Sequence, residues 1–288
     1  MGLTMGKGPL GPERAGRFNF SFEPPEPLLY LDPFPARVRA ILAGETVVDS
    51  RDALLLHESG HLPVFWFPRA DLREDLVGPS GRTEPSPGKG ELSFSALVAG
   101  GRELPDAVRE ATDPFLAGLV TLDWDAMDEW FVEDEQLFGH PKDPYSRIDV
   151  LKTTRHVRVL LDGEVLADTR RSLMLLEATL PPRFYIPPED ARTERLEPSS
   201  NRSRCAYKGS AAYWHVRVGD RLVPDLVWAY PVAAREVDLI RDHLCFFNER
   251  VDLELDGEAG ERPATQWSRD EDSPEGAQAL RGLMGRRR

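Results

Sequence analysis

The sequence predicts a mainly β protein made of two tandem small domains of short antiparallel strands with little helix, and three observations predict it. Residues 36–106 laid over residues 155–225 at a constant shift of 119 need no gap and give 23 identities in 71 positions. Chance at ordinary composition gives about 5, so the chain is one domain written twice. Within each copy, short apolar runs are punctuated by Gly and Pro turns, the pattern of many short strands. The length of 288 residues suits two domains of ordinary size.

The elements follow in order. Residues 1–35 read as a Gly/Pro-rich extended surface arm carrying Phe18, Phe20, Phe22, Tyr30 and Phe34. Residues 36–132 are the first copy, 133–154 a connector and 155–257 the second copy. Residues 258–288 form a polar tail ending in three arginines, whose composition predicts disorder. In the second copy, Val157 to Leu161 and Val165 to Ala167 flank Asp162-Gly163, a hairpin signal. Phe184 to Ile186, Tyr213 to Val218, Leu226 to Tyr230, Leu244 to Phe247 and Val251 to Leu255 are further strands. Ser172 to Glu177 fits strand or helix, with strand preferred. Glu189 to Leu196 is predicted as a short helix after Pro187-Pro188.

Composition bounds the function. A net charge of −13 opposes a nucleic-acid footprint, which needs a basic face. Cys205 and Cys245 are the only cysteines, and no signal peptide or long apolar run is visible. The expectation is a soluble cytoplasmic protein with no membrane partner. Arginine outnumbers lysine 31 to 5, yet Lys89 and Lys208 occupy equivalent positions. Either a compact ammonium is required there or the match is shared ancestry.

Three motifs invite chemistry. His57-Glu58-Ser59-Gly60-His61 matches H-E-x-x-H, a zinc signature that requires a helix. Gly60 and Pro63 oppose a helix, and the second copy has Leu176 and Leu180 at the histidine positions, so no metal is expected. Gly209-Ser210 opens a nucleotidyltransferase-like pattern, but Asp220 and Asp225 lack the close spacing that a shared metal pair needs. The segment Cys205 to Trp214, followed by Trp228-Ala229-Tyr230-Pro231, combines aromatics, small residues, a lysine and a thiol. That mixture suits a small planar or anionic ligand.

The first copy has Ser86, Gly88, Ser95, Arg109 and Ala111 where the second has Cys205, Tyr207, Trp214, Trp228 and Tyr230. Two readings stand: the aromatics are core, or they line a pocket found only in the second copy. On the pocket reading the ligand-binding residues are Glu177, Arg183, Tyr185, Tyr207, Lys208, Trp214, Trp228 and Tyr230. Lys208 meets an anionic or carbonyl group there. Cys205 and Lys208 are weak catalytic candidates, because no relay partner is placed beside the thiol. The connector His140 to Arg147 either reaches that pocket or acts as a rigid spacer. The competing function is a non-catalytic scaffold with the Phe-rich arm as its partner-binding element.

The segments Gly163 to Thr169, Leu180 to Pro187, Cys205-Ala206-Tyr207-Lys208-Gly209 and Trp228-Ala229-Tyr230-Pro231 resemble the domain of unknown function 427 family. The tandem arrangement is similar to two-copy bacterial members. The resemblance implies a β-tent fold, whose relatives carry zinc on paired Cys-x-x-Cys turns. This chain has no Cys-x-x-Cys, so neither zinc nor another cofactor is carried over. Ala206 departs from the family's usual Cys-Pro-Tyr-Lys-Gly. The tent is also a home for aromatic pockets, and the family's nucleotidyltransferase label lacks the Asp-x-Asp that would support it.

Overall fold

The computed structural model describes residues 2–178, 180–265 and 268. The chain divides into two compact units, Met1–Tyr145 and Ser146–Arg288. In the first, the strands are β1 (Leu29–Pro33), β2 (Val38–Leu42), β3 (Glu45–Ser50), β4 (Leu54–Glu58), β5 (Val64–Pro68) and β6 (Val77–Ser86). They continue as β7 (Gly90–Ala99), β8 (Arg102–Ala111), β9 (Leu119–Leu122), β10 (Glu129–Val132) and β11 (Glu135–Leu137).

The second unit repeats them as β12 (Ile148–Lys152), β13 (Val157–Leu161), β14 (Glu164–Thr169), β15 (Leu173–Glu177), β16 (Arg183–Ile186) and β17 (Leu196–Cys205). Its last five are β18 (Gly209–Val218), β19 (Arg221–Ala233), β20 (Leu244–Phe246), β21 (Asp252–Leu255) and β22 (Glu258–Ala259).

The duplication extends to topology. One seven-stranded sheet runs β1-β4-β5-β9-β8-β7-β6 and the other β12-β15-β16-β20-β19-β18-β17. The four-stranded sheets run β11-β10-β2-β3 and β14-β13-β21-β22. Bulges recur at matching places, after Ala40 and Val159 and again after Pro79 and Pro198. The first hairpin of each copy turns on two left-handed residues, Ala43-Gly44 (φ 52° and 80°) and Asp162-Gly163 (φ 52° and 82°). Two consecutive positive φ values give the hairpin turn that matches strand twist.

Both sheets bury alternate residues into a shared apolar core. In β13, Val157, Val159 and Leu161 face inward. The β15 and β16 strands pair Leu173 with Tyr185, Met174 with Phe184 and Leu175 with Arg183. Met174 and Phe184 therefore share one face of the large sheet, and Leu173, Tyr185 and Arg183 share the other.

Several expectations are corrected. The arm does not simply lie extended on the surface: Leu29–Pro33 joins the large sheet as a strand paired with β4, and residues 3–13 close turns such as Leu10 N to Leu3 O (2.9 Å). Glycines at 6, 8 and 11 allow that coiling, and Thr4 is buried at 2 % exposure. The connector holds β11 and the start of β12, so each copy is longer than the aligned stretch. Glu189 to Leu196 is not a helix but two 3-10 turns, Pro188–Asp190 and Thr193–Arg195, after which Leu196 opens β17. The predicted disordered tail begins as strand β22, and Thr265 is tied to Glu249. The rest of that prediction, apart from Ser268, lies outside the described residues.

Candidate functional site

The lysine repeated in both copies is explained by the repeated glutamate. Lys208 sits at the β17–β18 turn and its Nζ donates to Glu177 Oε2 at the end of β15, although β16, β20 and β19 stand between β15 and β18 in sheet order. The sheet is therefore rolled, and this ion pair joins its two wings. Lys89 Nζ makes the same bond to Glu58 Oε1 (2.6 Å) in the first domain. The glycine that follows each lysine is required: at Gly209 (φ +101°) a Cβ would lie 2.2 Å from Val232 O, and at Gly90 (φ +74°) 2.5 Å from Thr112 Oγ1.

Burial pushes the Glu177 carboxyl up, but the attraction and hydrogen bond of Lys208 outweigh it, so it stays below the usual range. Burial likewise pulls Lys208 down, and Glu177 outweighs that in the opposite sense.

Five of the predicted site residues gather on the inside of this roll. Tyr185, Trp228 and Tyr230 are buried there at 1 %, 8 % and 5 % exposure, with Arg183 and Glu177 beside them. Trp228 Nε1 donates to Tyr185 Oη (3.2 Å), and the Trp228 ring lies 4.4 Å from that of Phe247. Arg183 meets Glu249 through two bonds (2.8 and 2.6 Å) and lies 5.5 Å from the Trp228 ring. Burial lifts both phenols well above their ordinary value and pushes the Cys245 thiol up to about 12. These side chains are an interlocked core with internal partners.

The remaining predicted residues are placed differently. Trp214 pairs in register with Val227 and Pro198, on the face opposite Tyr213 and Trp228, so it does not join the others. Tyr207 and Cys205 are half-buried around the hairpin tip. The connector's Asp143 and Tyr145 pack on the first domain's His57, with Asp143 Oδ2 3.7 Å from Nδ1. His57 lies in β4 rather than a helix, while His61 is exposed and bonds Ser59 O, so the H-E-x-x-H spacing does not converge. Among the described residues, no group of three His, Cys, Asp or Glu side chains is placed to hold a metal ion. No helix among them is long and apolar enough to cross a membrane.

A cleft of about 340 Å³ lies elsewhere in the second domain, between the two sheets. Met174 and Phe184 from the large sheet face Leu253 and Leu255 from the small one. Pro181, Pro182 and Asn248 also line it, with Arg155, Glu258 and Glu261 at polar positions. The first domain shows how such a hollow is otherwise filled. Around Phe65, the counterpart of Phe184, stand Phe34 (5.2 Å) and Trp130 (6.2 Å), and Trp124 stacks on Trp130 at 4.6 Å and 2°.

Register identifies the counterparts in the second domain. Phe34 N and Thr153 N bond the equivalent carbonyls of Ala53 and Ser172. Asp123 and Phe247 bond Ala107 and Leu226, so the next residues, Trp124 and Asn248, correspond. Trp130 pairs with Ala40 as Leu253 pairs with Val159, and Leu137 faces Trp130 as Gly260 faces Leu253. Four large side chains have become Thr, Asn, Leu and Gly, and three of those four positions line the cleft. Sequence reasoning missed these residues because all four lie outside the gap-free alignment, and three of them also depart from its constant shift.

Among curated proteins none matches the chain. A family model described as domain of unknown function (DUF427) matches residues 30–133 and again residues 149–257. Both matches begin within the first strand of a copy and end in or just after its small sheet. The chain therefore belongs to the domain of unknown function 427 family and carries its domain twice.

Proposed function

We propose that the second domain binds a small molecule in the cleft between its sheets, and that the first domain is the filled counterpart. One observation carries this reading: the same fold, at the same positions, is plugged by Trp124 and Trp130 in one copy and open in the other. A volume of about 340 Å³ falls in the range of ligand pockets, and its walls are apolar with few polar groups. The residues first singled out, Glu177, Arg183, Tyr185, Lys208, Trp228 and Tyr230, support the reading as the rigid inner face of the strands that present Met174 and Phe184. No reaction is assigned to them.

The test is a metabolite thermal-shift screen of the full chain and of Leu253→Trp. A compound that raises the melting temperature of the wild type and not of the variant supports the cleft. A shift of equal size in both moves the site elsewhere, and no shift from any compound leaves the fold a scaffold. A scaffold reading has its own observation in the arm, where Phe18, Phe20 and Phe22 contact one another at 5.2–6.3 Å and Phe20 is 61 % exposed. Deleting residues 14–24 abolishes partner capture on that reading and leaves ligand binding intact.

A further inference from the structure

We infer that the cleft takes a planar heteroaromatic ring that carries an N–H donor and no negative charge, held where the first domain holds the Trp130 indole. The inference rests on the binding reading above and specifies its ligand. The first domain is the template. There the Trp130 indole stacks flat on Trp124, lies about 6 Å from both Phe65 and Phe67 and donates from Nε1 to Trp124 O (3.1 Å). Stacked rings at these separations gain energy beyond the area they bury.

The second domain keeps one ring of that wall: Phe184 stands for Phe65, while Ile186 and Asn248 stand for Phe67 and Trp124. Phe184 remains and lines the cleft together with Met174, Pro181 and Pro182. Asn248 takes the place of Trp124 and is buried at 7 % exposure. Its Nδ2 donates to Pro182 O (3.0 Å), which fixes the orientation of the amide, because a carbonyl only accepts. The carboxamide oxygen makes no hydrogen bond among the described residues and lies on a cleft-lining side chain. An acceptor on the cleft wall that a ligand would cut off from water favours a ligand with a donor over one without.

Charge sets the second preference. Arg155, the one cation lining the cleft among the described residues, is tied to Asp256 by a 2.7 Å bond, while Glu258 and Glu261 line the same cleft. The described residues of the mouth are therefore net acidic, which opposes carboxylates and phosphates and accepts neutral or cationic rings. This is the reverse of the anionic ligand expected at Lys208, whose ammonium is engaged by Glu177.

The experiment is ligand-observed fluorine NMR of the full chain with 5-fluoroindole as probe. Expected are saturable binding to the wild type, displacement by tryptamine at equal or lower concentration than by indole, and at least tenfold weaker displacement by indole-3-acetate. Indole methylated on nitrogen binds at least tenfold more weakly than indole, and Asn248→Leu removes that difference. Leu253→Trp abolishes binding, as does Gly260→Leu, where an added Cβ would have only Leu253 O as neighbour, at 3.5 Å.

Equal affinity for indole and its N-methyl form overturns the donor, and tighter binding of the carboxylate overturns the charge preference. If fluoroindole fails to bind while screened metabolites still lose their effect in Leu253→Trp, the ligand class is wrong and the cleft stands. If both fail, both fall.

Discussion

Replacing Lys208 by Met tests how the rolled sheet is held, and the first domain supplies an internal control in Lys89→Met. The Glu177 side chain is 8 % exposed and that of Glu58 is 18 %. Removing one partner of a buried ion pair costs about 3–5 kcal/mol, because the other charge stays buried without compensation. Glu58 keeps more contact with water, so Lys89→Met costs less, about 1–3 kcal/mol. Glu177 also gives the effect a pH signature. In the wild type its carboxyl is held below the ordinary 4.5, so its stabilising contribution is present above that value and is lost as pH falls through the folded value.

In Lys208→Met, burial acts on Glu177 without its main opponent and raises the carboxyl above 4.5. The penalty is then full near neutrality and disappears as the group protonates. The stability gap between the two proteins therefore narrows from about pH 7 to about pH 4. Native-state hydrogen exchange of the full chain reads each domain separately through its own core peptides. The double change Lys208→Met with Glu177→Leu recovers most of the loss, since an apolar pair has no charge to desolvate. Equal losses in the two domains, or a gap that does not change with pH, would refute this account of the roll.

Other outcomes follow from the same geometry. Leu253→Trp stabilises the second domain by about 0.5–2 kcal/mol, the usual gain from filling a hollow, and hydrogen exchange of β21 measures it. His57 is 1 % exposed; burial holds its imidazole below 6.5, against the opposing pull of Asp143 and Asp32. Its contribution is present above that value and lost as pH falls, so His57→Leu, the residue of the second copy, raises the melting temperature more at pH 5 than at pH 8. Cys245 is fully buried with its thiol pushed up to about 12, whereas Cys205 is half-buried. In a thiol-labelling assay Cys205 reacts in the native protein and Cys245 only on unfolding; equal rates would contradict the packing around Tyr185.

Much of the architecture was legible because it depends on local signals. Alternation and turn residues located the Asp162-Gly163 hairpin and the strands around Phe184, Tyr213 and Trp228. Glu189 to Leu196 misled because Pro188 favours a helical first turn, while the chain needs Leu196 extended to start β17. Glu58 and Lys89 repeat visibly as Glu177 and Lys208, but their pairing depends on the roll of a seven-stranded sheet, which no local pattern encodes.

The site was the least legible part. Trp228 and Tyr230 drew attention because aromatics are common in pockets, yet Trp228 and Phe247 stand where the first domain has an Arg109–Asp123 ion pair (2.5 Å). That exchange replaces a half-exposed ion pair by a buried ring contact. The hollow is lined by Asn248, Leu253 and Gly260, unremarkable alone and informative only against Trp124, Trp130 and Leu137. Extra residues after Tyr230 break the constant shift, so the comparison needs strand register to be made.

The central claim, that one twin is open to a guest where the other is filled, is tested most directly by methyl NMR of the full chain titrated with an aromatic fragment mixture. The Met174 ε-methyl and the methyls of Leu253 and Leu255 should shift and saturate, while those of Leu55 and Val132, beside the Trp130 stack, stay fixed. Unmoved methyls around Met174, or shifts of equal size in both domains, would contradict the account.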